Sequence, residues 1–129
     1  MSKFVLAFFL VAHGIIHLGF LTPAPADPKY PFRLSNSWLI VRAGIDAAIV
    51  RALGLALGVI VLVGFGAAAL AALGIVVPQA WSGWLTLVAA TSSLVMLILF
   101  WHTWLVLGAL IDVVMLVALL GLRWLPAEA

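Results

Sequence analysis

The chain has 129 residues, of which 67% are hydrophobic and 8% charged, and its mean hydropathy is +1.37. A soluble domain of this size could not cover so apolar a chain with polar surface, so the composition excludes a water-soluble globular protein and indicates a lipid environment. The net charge of +2 comes from lysines and arginines spread along the chain, which leaves no basic patch for nucleic acid. The absence of cysteine excludes disulfides, thiolate catalysis and cysteine-ligated metal centres.

Four apolar segments are long enough to cross a bilayer as helices. They cover residues 4–21, 47–77, 81–100 and 104–122. The first could be a signal peptide, because Lys3 precedes it and Ala24-Pro25-Ala26 resembles a cleavage site, but its apolar run of about 18 residues is too long for that class. We therefore expect an all-α fold: a single membrane domain over residues 1–129, built as an antiparallel four-helix bundle.

Residues 22–46 form the one long polar connection, and prolines near its start prevent a regular helix there. Its aromatic and basic side chains are typical of a membrane interface. We expect a short interfacial helix over residues 38–42, capped by one of residues 35–37 and ended by Gly44. Asp46 is the expected N-cap of the second span.

Small residues predict where the helices pack. Gly54 and Gly58 lie four apart, and in lipid such a pair lets two backbones approach closely, either within the chain or between the chain and a partner. In the third span, small and hydroxyl side chains form one stripe that we expect to face the bundle: Ser82, Thr86, Ala89 and Ser93. The connection at residues 101–103 is so short that spans three and four should be antiparallel neighbours.

Two histidines interrupt the first span. His13 and His17 are four apart and project from the same helix face, although ionisable groups are costly in hydrocarbon. One interpretation is a metal or haem site, with His102 as a third ligand and Asp112 as a fourth ligand or as the group that orients a ring. Such a site would suit zinc, iron or copper(II). The alternative is that both histidines form hydrogen bonds to neighbouring helices and only hold the bundle together.

Asp112 lies near the middle of the fourth span. A carboxylate at this depth either pairs with a cation or takes up a proton. We favour a functional role as a candidate catalytic acid or base, a proton-relay member or a counter-ion. The structural alternatives are an ion pair with Arg51 and a protonated acid bonded to a hydroxyl of span three.

The polar residues within the spans are expected to lie at similar depths in the membrane. At ~1.5 Å per helical residue, His13 and Asp112 each lie about 12 Å from the loop side of the bundle. By the same count Ser93 lies at about 10 Å and Arg51 at about 8 Å. We therefore predict a shared polar pocket with Ser93 and Arg51 as candidate ligand-binding residues and with His102 at its mouth.

Several stretches together resemble a set of small four-span bacterial membrane proteins. They are Ala12-His13-Gly14 with His17, Pro23-Ala24-Pro25-Ala26-Asp27, Ser37-Trp38, Phe100-Trp101-His102, and Gly108 with Asp112. This resemblance implies the four-span fold and brings no established activity. The size and span count also look like those of DoxX-type four-helix proteins, which sit near quinone and thiol redox chemistry. That likeness is one of architecture only, because no DoxX motif residues are present.

Three functions follow as hypotheses. The first is an intramembrane binding, redox or acid–base site for a metal, a haem or a lipophilic ligand. The second is an accessory subunit of a larger membrane complex, or a homo-oligomer, that docks through Gly54 and Gly58. The third is proton-coupled transport of a small cation, which requires Asp112 to titrate. We expect a multi-pass protein of the cell (inner) membrane, with the loop side cytoplasmic by the positive-inside rule.

Overall fold

The structure is a computed structural model that describes residues 2–121. All regular secondary structure in this range is helical, which confirms the expected all-α class. Among the described residues, four helical segments are long and apolar enough to span a membrane: Lys3–Leu21, Ala47–Leu73, Gln79–Leu99 and Thr103–Gly121. The predicted end of the fourth span, residue 122, lies outside the described residues, as do Met1 and residues 123–129.

Six α-helices make up these segments and the loop between the first two. They are α1 (Lys3–Ile16), α2 (Leu18–Leu21), α3 (Trp38–Val41), α4 (Ala47–Leu73), α5 (Ser82–Leu99) and α6 (Val106–Leu116). Single 3-10 turns precede α3, α5 and α6, and a π-helical turn, Val117–Gly121, follows α6. Side chains cap the starts of α3 and α4 as predicted. Ser37 Oγ accepts from Leu39 N–H at 3.2 Å, and Asp46 Oδ1 accepts from Ala48 N–H at 2.8 Å.

The first apolar segment is broken at His17, where α1 ends and α2 has not begun. The backbone N–H of His17 donates to the Gly14 carbonyl at 3.1 Å, three residues back instead of the four of a regular α-helix. The Phe20 N–H likewise donates to the His17 carbonyl at 3.1 Å. In this tight turn the His13 carbonyl faces the side chain of His17 and lies 3.3 Å from its Nδ1.

The second span ends at Leu73, four residues before the predicted residue 77. Gly74 adopts a left-handed conformation with φ of 69°, and its N–H bonds to the Ala71 carbonyl at 2.9 Å. Glycine reaches this conformation without steric cost, so it closes the helix before Pro78 is met. The third segment starts at Gln79 and ends at Leu99, close to the predicted residues 81–100.

Helix α4 is central: it packs against both α1 and α5, and α5 packs against α6. Two apolar clusters form the core. One contains Leu6, Leu10, Val61, Phe65, Ala90 and Met115, and the other contains Phe20, Val50, Met96, Leu97, Phe100 and Leu105. Along the chain His13, Ser93 and Asp112 each lie between members of these two clusters. The bundle therefore has a polar layer enclosed between two apolar layers.

Glycines allow the closest helix contacts. A Cβ on Gly14 would lie 2.9 Å from Phe65 Cβ, so α1 and α4 meet almost backbone to backbone there. A Cβ on Gly54 would lie 2.5 Å from a methyl carbon of Leu34, and one on Gly58 would lie 2.8 Å from a methyl carbon of Leu21. The surface expected to dock a partner through Gly54 and Gly58 is therefore covered by residues of the same chain.

Candidate functional site

Four polar side chains from three helices meet in the polar layer. His13 Nε2 lies 2.8 Å from Asp112 Oδ1, and Ser93 Oγ lies 2.6 Å from Asp112 Oδ2. His17 Nε2 lies 2.9 Å from the same Ser93 hydroxyl. Asp112 and Ser93 are fully buried, and His17 and His13 are 2% and 4% exposed. Together they form one continuous hydrogen-bonded chain, His13–Asp112–Ser93–His17, which we call the polar cluster.

Aromatic rings enclose the imidazoles. Phe9, one helical turn before His13, lies parallel to it with ring centroids 6.2 Å apart. Phe65 of α4 meets His13 edge to face at 5.2 Å, and Phe20 lies 6.5 Å from His17. The spacing of Phe9 and Phe20 from the histidines is visible in the sequence, whereas nothing in the sequence pointed to Phe65. These rings limit the access of water, which strengthens the hydrogen bonds they cover.

The hydrogen-bond partners of His17 and Ser93 restrict where their protons can lie. The carbonyl of His13 can only accept, so the Nδ1 of His17 that faces it must carry a proton. The Ser93 hydroxyl has a single proton but contacts both Asp112 Oδ2 and His17 Nε2. One of those two contacts therefore needs a proton from the other partner.

The complete cluster needs one proton more than an ionised carboxylate and neutral imidazoles provide. Its four contacts require four donated protons, whereas the Ser93 hydroxyl and the two neutral imidazoles supply three. For all four contacts to be hydrogen bonds, the fourth proton would have to lie on Asp112 Oδ2 or on His17 Nε2. In both cases the cluster has no net charge, which suits a group buried between two apolar layers.

The two arrangements differ only in the direction of the hydrogen bonds that Ser93 makes. With the proton on His17, Nε2–H donates to the Ser93 hydroxyl and that hydroxyl donates to Asp112. With the proton on Asp112, each of these hydrogen bonds reverses. The atoms lie at hydrogen-bond distance, so a change from one arrangement to the other would need no rearrangement of the backbone. One hydroxyl thus links the Asp112 carboxylate to the His17 imidazole.

His102 lies outside the polar cluster. Its Nδ1 accepts the Trp104 N–H at 3.1 Å, so the ring caps the 3-10 turn before α6. Within residues 2–121, no group of three or more histidine and acidic side chains is arranged to hold a metal ion. The Nε2 atoms of His13 and His17 already contact Asp112 and Ser93. The predicted three-histidine metal site is therefore not brought together.

Arg51 also lies outside the cluster. It is exposed, and the partners of Asp112 are His13 and Ser93. The expected alternative of an Asp112–Arg51 ion pair is thus not the arrangement found, whereas contact between Asp112 and a hydroxyl of span three is present. Of the predicted site residues, the structure brings together His13, His17, Ser93 and Asp112.

Comparison with known proteins assigns no family to the chain. No protein-family model, curated protein or solved structure matches it. The resemblance to four-span bacterial proteins and to DoxX-type bundles therefore supplies no residue roles. The chemistry of the site follows from the geometry of its own residues.

An apolar cavity of about 530 Å³ lies beside the polar cluster. It opens between α1 and α6, which contact each other little. Phe9, which stacks on His13, forms part of its wall, and so do Leu10, Ile111 and Met115. The volume is that of a small-ligand site, and the lining favours an apolar ligand.

Proposed function

We propose that this chain is a multi-pass protein of the cell (inner) membrane whose four long helices cross it as antiparallel neighbours. Large apolar side chains point outward from these helices, including Phe8 at 76% exposure and Trp84 at 72%. Such a surface is unfavourable in water and matches lipid. The short connections after α4 and after α5 support the antiparallel order.

We further propose that the polar cluster is an intramembrane acid–base site. The observation that carries this proposal is the buried chain of hydrogen bonds that links Asp112 to His17 through the Ser93 hydroxyl. Asp112 acts as the acid or base, and Ser93 relays the proton. His17 is the end of the relay nearer the loop, and His13 orients the carboxylate. A buried ionisable pair that served only for packing could be replaced by apolar residues at little cost.

A lipophilic ligand in the cavity between α1 and α6 is the proposed substrate of this site. Phe9 separates that cavity from His13, so a small displacement of one ring would give a bound molecule access to the imidazole. The cavity wall is apolar apart from Thr86, whose hydroxyl donates to the Ser82 carbonyl, and Phe9 in that wall stacks on His13 of the polar cluster. This arrangement supports proton exchange with a bound molecule over coordination of a metal or haem.

Two other functions stay predictions. Transport across the membrane would require further polar side chains between His13 and the start of α1. Residues 4–12 of that helix are all apolar. For an accessory subunit, the partner would have to dock away from Gly54 and Gly58, since residues of the same chain already contact both positions. The acid–base proposal depends on neither of these requirements.

The test is infrared difference spectroscopy of the purified protein in lipid vesicles, wild type minus Asp112→Asn. The wild type should show either a protonated Asp112 carboxyl or a His17 imidazolium, which are the two places for the fourth proton. On transfer to D2O that band should shift as the proton exchanges. Ser93→Ala should slow the shift by roughly a hundredfold, because the relay hydroxyl is missing.

Ser82→Ala is the matched control for Ser93→Ala, because Ser82 is a buried serine of the same helix that makes no contact with the cluster. Its exchange rate should equal that of the wild type. An ionised Asp112 together with two neutral imidazoles would contradict the proposal, because the fourth proton would then be absent. Equal exchange rates in Ser93→Ala and wild type would contradict the relay.

A further inference from the structure

A second cavity, of about 310 Å³, lies where the 22–46 loop meets α2 and α4. Its apolar wall includes Phe20, Phe32 and Leu55, and its basic residues are Arg33 and Arg51. It shares no residue with the polar cluster or with the cavity between α1 and α6. It is therefore a separate candidate site.

The charge of this cavity is not balanced. Its lining includes two arginines and no acidic residue, and within residues 2–121 neither arginine forms a salt bridge. Arg33 is held in place because its Nη2 donates to the backbone carbonyls of Pro25 and Asp27, the latter at 2.7 Å. Those bonds use neutral acceptors and leave its positive charge in place. The cavity is therefore suited to an anion.

Polar and apolar groups are separated along the helix axis. Arg51 lies in the first two turns of α4, and Leu55 follows one turn deeper, about 6 Å along the axis. Arg51 also borders a smaller cavity of about 220 Å³ on its other flank, so its side chain has room to reorient. A ligand that fits this pattern has a charged head at one end and an apolar tail at the other.

We propose that this cavity binds an anionic amphiphile, with a phosphate or carboxylate head between Arg33 and Arg51 and an acyl chain along Phe20 and Leu55. The two arginines favour a negatively charged head group, and the apolar wall favours an acyl chain. A membrane phospholipid and a free fatty acid share this chemistry. The site is independent of the proposed acid–base function.

The experiment measures thermal unfolding of the full chain in a neutral maltoside detergent with four additives. These are dioleoyl phosphatidylglycerol, oleate, dioleoyl phosphatidylcholine and inorganic phosphate. A bound ligand raises the melting temperature in a concentration-dependent way. Phosphatidylglycerol, oleate or both should do so, and the stronger of the two identifies the source. Phosphatidylcholine should have little effect because its choline cancels the negative charge of its phosphate, and inorganic phosphate should have little effect because it has no acyl chain.

Arg51→Gln should weaken the apparent affinity by about tenfold, because one charge-assisted contact is lost. Arg42→Gln is the matched control: Arg42 is exposed, belongs to the same loop region and lines neither cavity. Asp112→Asn should bind the amphiphile as the wild type does, which separates this proposal from the acid–base site. Raising the salt concentration should weaken binding to the wild type.

Three results would overturn the proposal. One is an equal shift with phosphatidylcholine, which would mean that charge plays no part. Another is a full shift with inorganic phosphate alone, which would mean that no apolar tail is recognised. The third is an Arg51→Gln protein with a native helical circular dichroism spectrum that binds the anionic amphiphiles as tightly as Arg42→Gln.

Discussion

The Nε2 of His13 and the Oδ1 of Asp112 lie 2.8 Å apart, although 99 residues separate them in the chain. This contact joins α1 to α6, two helices that otherwise contact each other little. It lies beside the apolar cavity that opens between them. The pair therefore ties the first long helix to the last and also orients the carboxylate, whose other oxygen contacts Ser93.

Asp112→Asn should fold with a stability close to that of the wild type. The amide oxygen can accept from His13, and the amide nitrogen can donate to Ser93, whose proton then goes to His17. Every contact of the cluster is thus satisfied with neutral groups. The expected change in the free energy of unfolding is within about 1 kcal/mol, measured by thermal unfolding in detergent.

Asp112→Ala is the comparison for that variant. It leaves the His13 Nε2–H buried without an acceptor, while the Ser93 hydroxyl can still donate to His17, and we expect a loss of about 1–3 kcal/mol. Equal stability of the alanine and asparagine variants would show that the hydrogen bonds of Asp112 do not stabilise the fold.

Two buried serines of α5 should respond to alanine in opposite directions. Ser93→Ala removes the hydroxyl shared by Asp112 and His17 and should destabilise the protein by about 1–3 kcal/mol. Ser82 Oγ is buried and has no hydrogen-bond partner in the described part of the chain. Ser82→Ala should therefore stabilise the protein by about 1 kcal/mol. Melting temperatures that change in the same direction would contradict this difference.

The two histidines should carry protons on different ring nitrogens. We expect a proton on Nδ1 of His17, which faces the His13 carbonyl, and on Nε2 of His13, which faces Asp112. Nitrogen-15 NMR of histidine-labelled protein distinguishes these forms, and His13→Gln and His17→Gln variants assign the signals. A neutral His17 with its only proton on Nε2 would be inconsistent with the hydrogen bonding described above.

Gly14→Ala should separate α1 from α4. The added methyl would lie 2.9 Å from Phe65 Cβ, a neighbour that cannot move without its helix, so we expect a loss of about 1–3 kcal/mol. Gly66→Ala is the control, because a Cβ there meets nothing within 4 Å. It should stabilise α4 by about 0.5–1 kcal/mol through helix propensity. Similar melting temperatures for the two variants would argue against close packing at Gly14.

The level of the polar residues could be predicted from the sequence because the rise of a helix is constant. Counting from the helix ends placed His13, Asp112 and Ser93 at similar depths, and the structure brings them into contact. The same count could not fix the rotation of each helix about its axis. For that reason it also admitted Arg51, which lies near the same depth but is exposed.

Local backbone chemistry accounts for the remaining differences. His102 was expected at the mouth of the site. It lies instead at the start of a helical turn, where the first backbone N–H groups have no partner within the turn, and its ring accepts one of them, the Trp104 N–H. The end of α4 was expected before Pro78, but Gly74 closes the helix earlier because it reaches positive φ without strain. The break at His17 leaves no mark in the sequence, since no glycine or proline occupies that position.

The partners of His13 and His17 in the polar cluster are synthesised long after the histidines themselves. His17 leaves the ribosome 76 residues before Ser93, and His13 leaves it 99 residues before Asp112. In the proposed membrane setting, the first helix must therefore enter the bilayer with two imidazoles that lack their final partners. Its stable insertion would be completed only when the third and fourth helices arrive, so the last half of the chain would decide whether the first half stays in place.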